Sequence, residues 1–399
     1  MRISRGDHHW SLTYCGNVHP VGQADELLAA LEGCVPELRD ALDPERRRGP
    51  FALGLWFSAA VARELVASPR TRRRLADRIA ALGAEALTAN AFPYGDFHAD
   101  AVKHAVYRPD WTMRERLDFT LDVAHLMAEL PLEGPIQTIS TLPGKWGPAS
   151  ATERETMVQA LGAAARGFAE IEARWGRRIV LGIEPEPGCC FETTEQILEF
   201  FTGSLFVGPE ASLRHRHLGV CFDVCHQAVE HEDVAGSLRR LVEAGIPIAK
   251  IQLSTALEIA EPSRDAEALA ALASFDEPRY LHQVVARDRR GGLRAFDDLH
   301  EYLAVARERD DALARCHFHV PIFRERHGPI GTTQAALGAA LDEVVRSGLE
   351  AHLEVETYSW GVQPERREGP LRREDLCSDL GRELRWVLER VEGADVTRG

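Results

Sequence analysis

Ile179-Val180-Leu181-Gly182-Ile183-Glu184-Pro185-Glu186-Pro187-Gly188 is an apolar run that ends on acids and then breaks at two prolines and a glycine. Leu218-Gly219-Val220-Cys221-Phe222-Asp223-Val224-Cys225-His226 repeats the arrangement, with an acid where the run stops and an amphipathic stretch beyond it. A strand buried on both faces reads as such a run, and a parallel sheet with crossover helices buries its strands that way. Working outward, similar runs stand at Ser11–Cys15, Leu53–Phe57, Ala86–Ala91, Ile136–Thr141, Ile248–Ser254, Cys316–Ile322 and His352–Thr357. Helical periodicity fills the intervals at Ala24–Leu42, Ala59–Leu82, Met113–Leu130, Thr152–Trp175, Thr193–Phe201, His226–Ala244 and Thr332–Ser347. Ser58, Thr112, Ser150 and Thr333 read as helix starts, and Thr152 opens a Thr-x-x-Glu box ending at Glu155.

Repeated βα units of this kind predict an α/β fold closed as a TIM (β/α)8 barrel. Nine strand candidates compete for eight places. Either His317–Ile322 is an accessory strand after the seventh, or the first or last candidate lies outside the ring. The region around 255–315 is too long for an ordinary crossover and reads as an insertion. Within it, Arg287-Asp288-Arg289-Arg290-Gly291-Gly292 turns a hairpin between Tyr280–Val285 and Leu293–Phe296. No linker divides the chain, so residues 1–399 read as one elaborated domain.

Composition narrows the function. The 399 residues carry 47 Lys+Arg against 62 Asp+Glu, a formal net charge of −15, which argues against a nucleic-acid partner. Hydrophobic residues at 45% supply a large core. The first residues lack a secretory apolar run, and no stretch is long enough to span a membrane, so the expectation is a cytoplasmic protein without membrane insertion. Eight cysteines in so long a chain suggest no disulfide scaffold, and Cys189-Cys190 and Cys221 with Cys225 read as reduced thiols. His8 and His9 read as disordered surface residues.

Chemistry in such a barrel gathers where strands end. There lie Glu184 and Glu186, Asp223 and His226, Lys250 and Gln252, His317 and His319, and Glu354 and Glu356. Residues two apart share a face but stand roughly 6.6 Å apart along a strand, so one member of each pair meets any given ion. So many acids in one barrel mouth repel unless a cation offsets them, and a divalent metal does so most simply. The loop Asn90-Ala91-Phe92-Pro93-Tyr94-Gly95-Asp96-Phe97-His98 offers Asn90, Phe92 and Tyr94 as a substrate wall, or else a Pro/Gly turn whose aromatics cover the barrel top. Tyr107 and Trp111, flanking Pro109, read as loop packing.

These residues resemble the xylose-isomerase-like barrel superfamily of sugar isomerases, ketose epimerases and endonuclease IV. More closely, Leu12-Thr13-Tyr14-Cys15-Gly16-Asn17-Val18-His19-Pro20, Asn90–His98, Val106–Trp111, His317–Phe323 and His352–Tyr358 resemble the EboE metabolite-traffic family over nearly the whole chain. The resemblance implies Glu184, Asp223 and Glu356 as metal ligands, with Gln252 where the epimerases place a histidine and His319 or His317 able to supply a nitrogen. It implies that Glu184 and Glu356 exchange a proton with substrate, and that His226 contacts substrate or a second metal. Lys250 is then an electrophile, or a barrel-wall lysine paired with a carboxylate. The amide of Gln252 favours Mg²⁺ or Mn²⁺, with Zn²⁺ a further option. The implied function is a metal-dependent isomerase or epimerase acting on a small hydroxylated metabolite in a precursor-export pathway, whose other proteins are expected partners. The alternative is a non-catalytic barrel that binds and hands over that metabolite. Leu142, where endonuclease IV-like chains carry a histidine, disfavours a phosphodiesterase.

Overall fold

The computed structural model describes residues 1–367, 369 and 371–393. Eight parallel strands form the barrel in chain order: His8–Tyr14, Phe51–Trp56, Ala84–Asn90, Ile136–Thr141, Arg178–Ile183, Leu218–Asp223, Ile248–Leu253 and His352–Val355. The last pairs with the first, Leu353 opposite Leu12, and Cys15 bridges Gly54 to close the ring. Gly54 is required at that closure, because a methyl there would land on the Tyr14 carbonyl and the Glu354 carboxylate. A short antiparallel strand, Arg2–Arg5, folds back onto the first barrel strand outside the ring. His8 and His9 are exposed, as expected of surface residues, but they are strand residues rather than disordered ones.

Cys316–Ile322 is the candidate that does not join. The strand there is Asp311–Cys316, and residues 317–322 cross the barrel mouth irregularly. Pro321 lacks an N–H, and the segment's other groups are taken by loops: His317 N donates to Gln283 O (2.8 Å) and Val320 N to Thr255 O (3.0 Å). The insertion runs further than expected, from Thr255 to Thr332. It carries a six-stranded antiparallel sheet ordered Leu293–Phe296, Val284–Asp288, Asp311–Cys316, Leu257–Ala260, Ile330–Thr332, Arg326–His327. The anticipated hairpin is present, with Val284 opposite Phe296 and Arg287 opposite Leu293.

The crossover helices begin where polar caps permit. Ser58 accepts from Val61 N (3.3 Å). At Ala151–Trp175 the capping box is Ser150 with Glu153, so the Thr152–Glu155 box does not form. Thr112 caps nothing, since the helix Arg114–Glu129 starts after Met113. The stretch 59–82 divides into Ala59–Ala67 and Pro69–Ala81, because Pro69 cannot continue a helix but starts one well, and Ser68 caps it. Asp233 likewise divides the region after the sixth strand into Val224–Val229 and Val234–Glu243. Among the described residues no helix is long and apolar enough to cross a membrane.

The cysteines require one correction. Cys34, in the helix Ala24–Leu42, is joined to Cys377 in the final helix Arg373–Gly393, while Cys189, Cys190, Cys221 and Cys225 are free and buried.

Candidate metal centre

Asp223 ends the sixth strand and caps the next helix. Its Oδ1 accepts from His226 N (3.0 Å) and Ser254 Oγ (2.8 Å), so that oxygen is engaged and Oδ2 has no partner among the described residues. Glu184 follows the fifth strand, and its Oε2 is likewise buried and unpartnered. Glu356 follows the eighth, and its Oε1 accepts from Asn17 Nδ2 (2.8 Å) and Asn90 Nδ2 (3.1 Å). One oxygen from each of Glu184, Asp223 and Glu356 lies within 4.8 Å of the other two. Gln252 is opposite Asp223 in the sheet register, and both ends of its amide are buried without a partner among the described residues.

Burial and mutual repulsion raise two of these carboxylates. Glu184 stands well above the usual carboxylate range through burial, then through Glu356 and Asp223. Glu356 is pushed up to about 8 by burial, Asp223 and Glu354. The buried ammonium of Lys250 draws both down, but not enough to offset burial and the neighbouring acids. Lys250 is tied to Glu354, both fully buried; burial is the largest single influence and lowers it, but Glu354 together with Cys221, Cys15 and Glu184 more than offsets burial and holds Lys250 charged. Lys250 therefore belongs to the barrel interior rather than to a substrate pocket, which corrects the reading as an electrophile. The unpartnered oxygens and the amide fit a divalent cation: carboxylate and amide donors suit a hard ion.

A histidine group adjoins this set. His319 Nδ1 donates to Glu356 O (2.8 Å), which turns Nε2 toward Asp223 Oδ2, 3.9 Å away. Burial lowers its pKa to about 4, so it is a neutral donor. His226 Nδ1 donates to Pro185 O (2.9 Å) and His317 Nδ1 to Gln283 Oε1 (2.7 Å), and their Nε2 atoms face each other at 3.1 Å. Glu186 joins them, and its Oε1 accepts from Tyr107 Oη (2.7 Å) and Gln283 Nε2 (3.1 Å). Burial also raises Glu186 above the ordinary range.

Acids and imidazoles floor a cavity of about 60 Å³ whose wall is Phe92, Phe97, Tyr107, Tyr280 and Tyr358. Of the residues expected at the site, Glu184, Asp223, Glu356, His226, His317 and His319 converge, and Phe92 lines the wall. Asn90 lines the cavity too and also holds Glu356. Tyr94 does not contribute: its ring packs edge-on to Phe119 (5.1 Å), away from the cavity. Asn17, Gln283 and the tyrosines at 107, 280 and 358 were not anticipated as site residues, whereas Glu186 stood among the strand-end acids. Asn17 follows the first strand and could have been found by the strand-end rule. Tyr107 ends the single 3₁₀ turn Lys103–Tyr107, and Gln283 lies just before the strand Val284–Asp288, so neither position marks its side chain as serving the site.

No family model matches the chain, and no curated protein matches it. Among solved structures it resembles the IolI protein with a bound zinc atom at 13% identity, over 96% of this chain and 100% of that one, with a TM-score of 0.51. A D-tagatose 3-epimerase-like protein matches at 14% identity over 96% and 98%, TM-score 0.47. A xylose isomerase domain containing protein from Salmonella typhimurium LT2 matches at 10% over 94% and 97%, TM-score 0.47. The likeness is one of fold: the chain is an α/β barrel, elaborated after its seventh strand.

Proposed function

We propose that this chain is a metal-dependent isomerase- or epimerase-like enzyme acting on a small hydroxylated metabolite. The observation that carries the reading is the convergence of Glu184, Asp223 and Glu356 within 4.8 Å, with buried oxygens that have no partner among the described residues. These three, with Gln252 beside them and His319 on the flank, would hold the ion, Mg²⁺ or Mn²⁺ by donor hardness and Zn²⁺ if His319 engages. Bound there, a divalent ion supplies Lewis acidity toward a substrate oxygen and neutralises the carboxylates.

The remaining chemistry falls to the chain's own groups. Glu184 and Glu356 both border the cavity. Each has a raised pKa, suited to taking a proton from a carbon beside a carbonyl or returning one. Asn17 and Asn90 fix the Glu356 carboxylate through one oxygen and leave the other for the reaction. His226 contacts the substrate at the cavity floor. Phe92, Tyr107 and Tyr358 exclude water from it. On the five segments that resemble the EboE family, we place the substrate in a precursor-export pathway, with other proteins of that pathway as partners.

Elemental analysis of purified protein, followed by NMR of ketoses and polyols in deuterated buffer, tests this. The expected result is a stoichiometric divalent ion lost in Glu184→Gln and Glu356→Gln, and metal-dependent deuterium incorporation that falls at least about 100-fold in each variant. A bound ion without exchange into any ketose or polyol would favour a binding barrel and overturn the catalytic reading.

A further inference from the structure

The cavity is divided by chemistry. Its floor carries the acids, the imidazoles and the two asparagines that hold Glu356, whereas its wall is Phe92, Phe97, Val102, Val106, Tyr280 and Leu281. Phe97, Tyr280 and Tyr358 arrive from three separate segments, the third βα loop, the insertion and the turn after the eighth strand. Their ring centroids nevertheless form a triangle with sides of 4.8, 5.0 and 5.1 Å. Tyr107 adds a ring and no free hydroxyl, since its Oη donates to Glu186 Oε1 (2.7 Å) and accepts from Gln283 Nε2 (2.8 Å). The wall is also fastened: Val102 N and Lys103 N both donate to Arg279 O (2.7 and 2.9 Å), which ties the loop side to the insertion side.

This division decides what fits. A hydroxyl set against Phe92, Val102 or Leu281 gives up water without gaining a partner, so hydroxyl groups are favoured only at the floor. The enclosed volume is about 60 Å³, under half of the ~150 Å³ that accommodates a benzene ring. The floor therefore takes a head of only a few heavy atoms, and the rest of a larger substrate lies along the wall. Among the described residues that line the cavity the only lysine or arginine is Lys103, and its Nζ donates to Asp298 Oδ2 (2.6 Å) and Glu277 O (3.0 Å). An anionic group would meet acids below it and no free cation beside it.

We propose, resting on the function given above, that the substrate is uncharged and amphipathic: a short hydroxycarbonyl head at the acids, joined to an apolar, ring-sized substituent that packs against Phe97, Tyr280 and Tyr358. Burying such a substituent against aromatic side chains strengthens binding by roughly 10- to 100-fold. A plain ketose keeps the head and so still exchanges its proton, but it leaves the wall uncovered.

Three ketones that share a hydroxymethyl ketone head test this with the metal-loaded full-length protein. They are hydroxyacetone, 1-hydroxy-3-phenylpropan-2-one and dihydroxyacetone phosphate, which carry hydrogen, phenyl and phosphate on the far carbon. Proton NMR in deuterated buffer follows exchange at the hydroxymethyl carbon. The expected result is a kcat/KM at least about 10-fold higher for the phenyl ketone than for hydroxyacetone, with the phosphate below both. Tyr280→Ala should narrow the phenyl advantage to under about threefold, a ratio taken within one variant and so independent of how much of it is active. A smaller advantage than this in wild type, or a preference for the phosphate, overturns the proposal and leaves the rings as a cover for the barrel mouth. Should none of the three exchange, the catalytic reading fails, and calorimetry of wild type with 3-phenylpropane-1,2-diol and propane-1,2-diol decides the ligand class by itself. Binding at least about 10-fold tighter for the phenyl diol keeps that class, and anything less overturns it.

Discussion

Glu356 accepts two amide hydrogen bonds on one oxygen and none that would saturate the other, so its position is fixed while one oxygen stays free. Burial, with Asp223 and Glu354 nearby, raises its pKa to about 8, and Glu184 is shifted in the same direction. A proton and a metal ion then compete for the same carboxylates. Because ligation requires the deprotonated form, affinity for Mn²⁺ should climb as pH rises toward about 8 and level off above it. The slope is set by the protons released, up to about tenfold per pH unit for each. Calorimetry in buffers of different ionisation enthalpy measures both the affinity and the released protons. A flat profile between pH 6 and 8 would show that these carboxylates are already ionised in the metal-free protein. Lys250 shows the converse case: its buried charge is paired with Glu354, and its pull on Glu184 and Glu356 is too weak to cancel their upward shift.

At the level of elements, the final helix Arg373–Gly393 supports the site from behind. Glu383 Oε1 accepts from Thr357 Oγ1 (2.7 Å) and Ile322 N (3.2 Å), tying the residue after Glu356 to the loop that carries His317 and His319. Burial raises Glu383 to about 8, despite those hydrogen bonds. An acid raised from 4.5 when unfolded to about 8 when folded gives its stabilising contribution in full below 4.5, and that contribution is lost as pH rises through 8. Wild-type stability should therefore fall more steeply than that of Glu383→Gln between about pH 5 and 8, by no more than about 1.4 kcal/mol per pH unit. Urea denaturation of the two proteins across that interval checks it, and parallel curves would refute it. The sequence reveals this helix's partners poorly, for a physical reason. Barrel strands are buried on both faces, so eight apolar runs stand out, and so do Glu184, Asp223 and Glu356 at the ends of three of them. His317-Phe318-His319-Val320 alternates just as a strand does, but alternation does not distinguish pairing from crossing the barrel mouth. Tyr107 reaches the cavity from a single 3₁₀ turn and Gln283 supports Glu186 from just before a strand, where no period marks which side chain faces inward. The helix division at Ser68-Pro69 was readable from its cap and proline, yet the apolar pattern runs through both halves.

At the scale of the whole molecule, the fold is a ring whose first and last strands must meet, with Leu12 beside Leu353. The helices next to those strands are also joined covalently, Cys34 to Cys377 across 343 residues of chain. Neither cysteine carried a spacing signal, because the partner lies at the far end of the sequence and only barrel closure brings the two together. Both are buried against apolar neighbours, so the folded ring tolerates the reduced pair. The cross-link acts chiefly on the unfolded chain, whose ends it holds together. The chain-entropy relation for so long a loop sets an upper bound of about 6 kcal/mol, and measured disulfides more often contribute about 2–4 kcal/mol. Reduction of wild type, or the double substitution Cys34→Ala with Cys377→Ala, should therefore lower the denaturation midpoint. The dependence on denaturant should steepen as well, because an unfolded chain released from its cross-link exposes more surface. Metal stoichiometry should stay unchanged, since no donor of the candidate metal centre lies on the two bridged helices. If the midpoint moved while the slope did not, the loss would lie in the packing of the two helices rather than in the freedom of the unfolded chain.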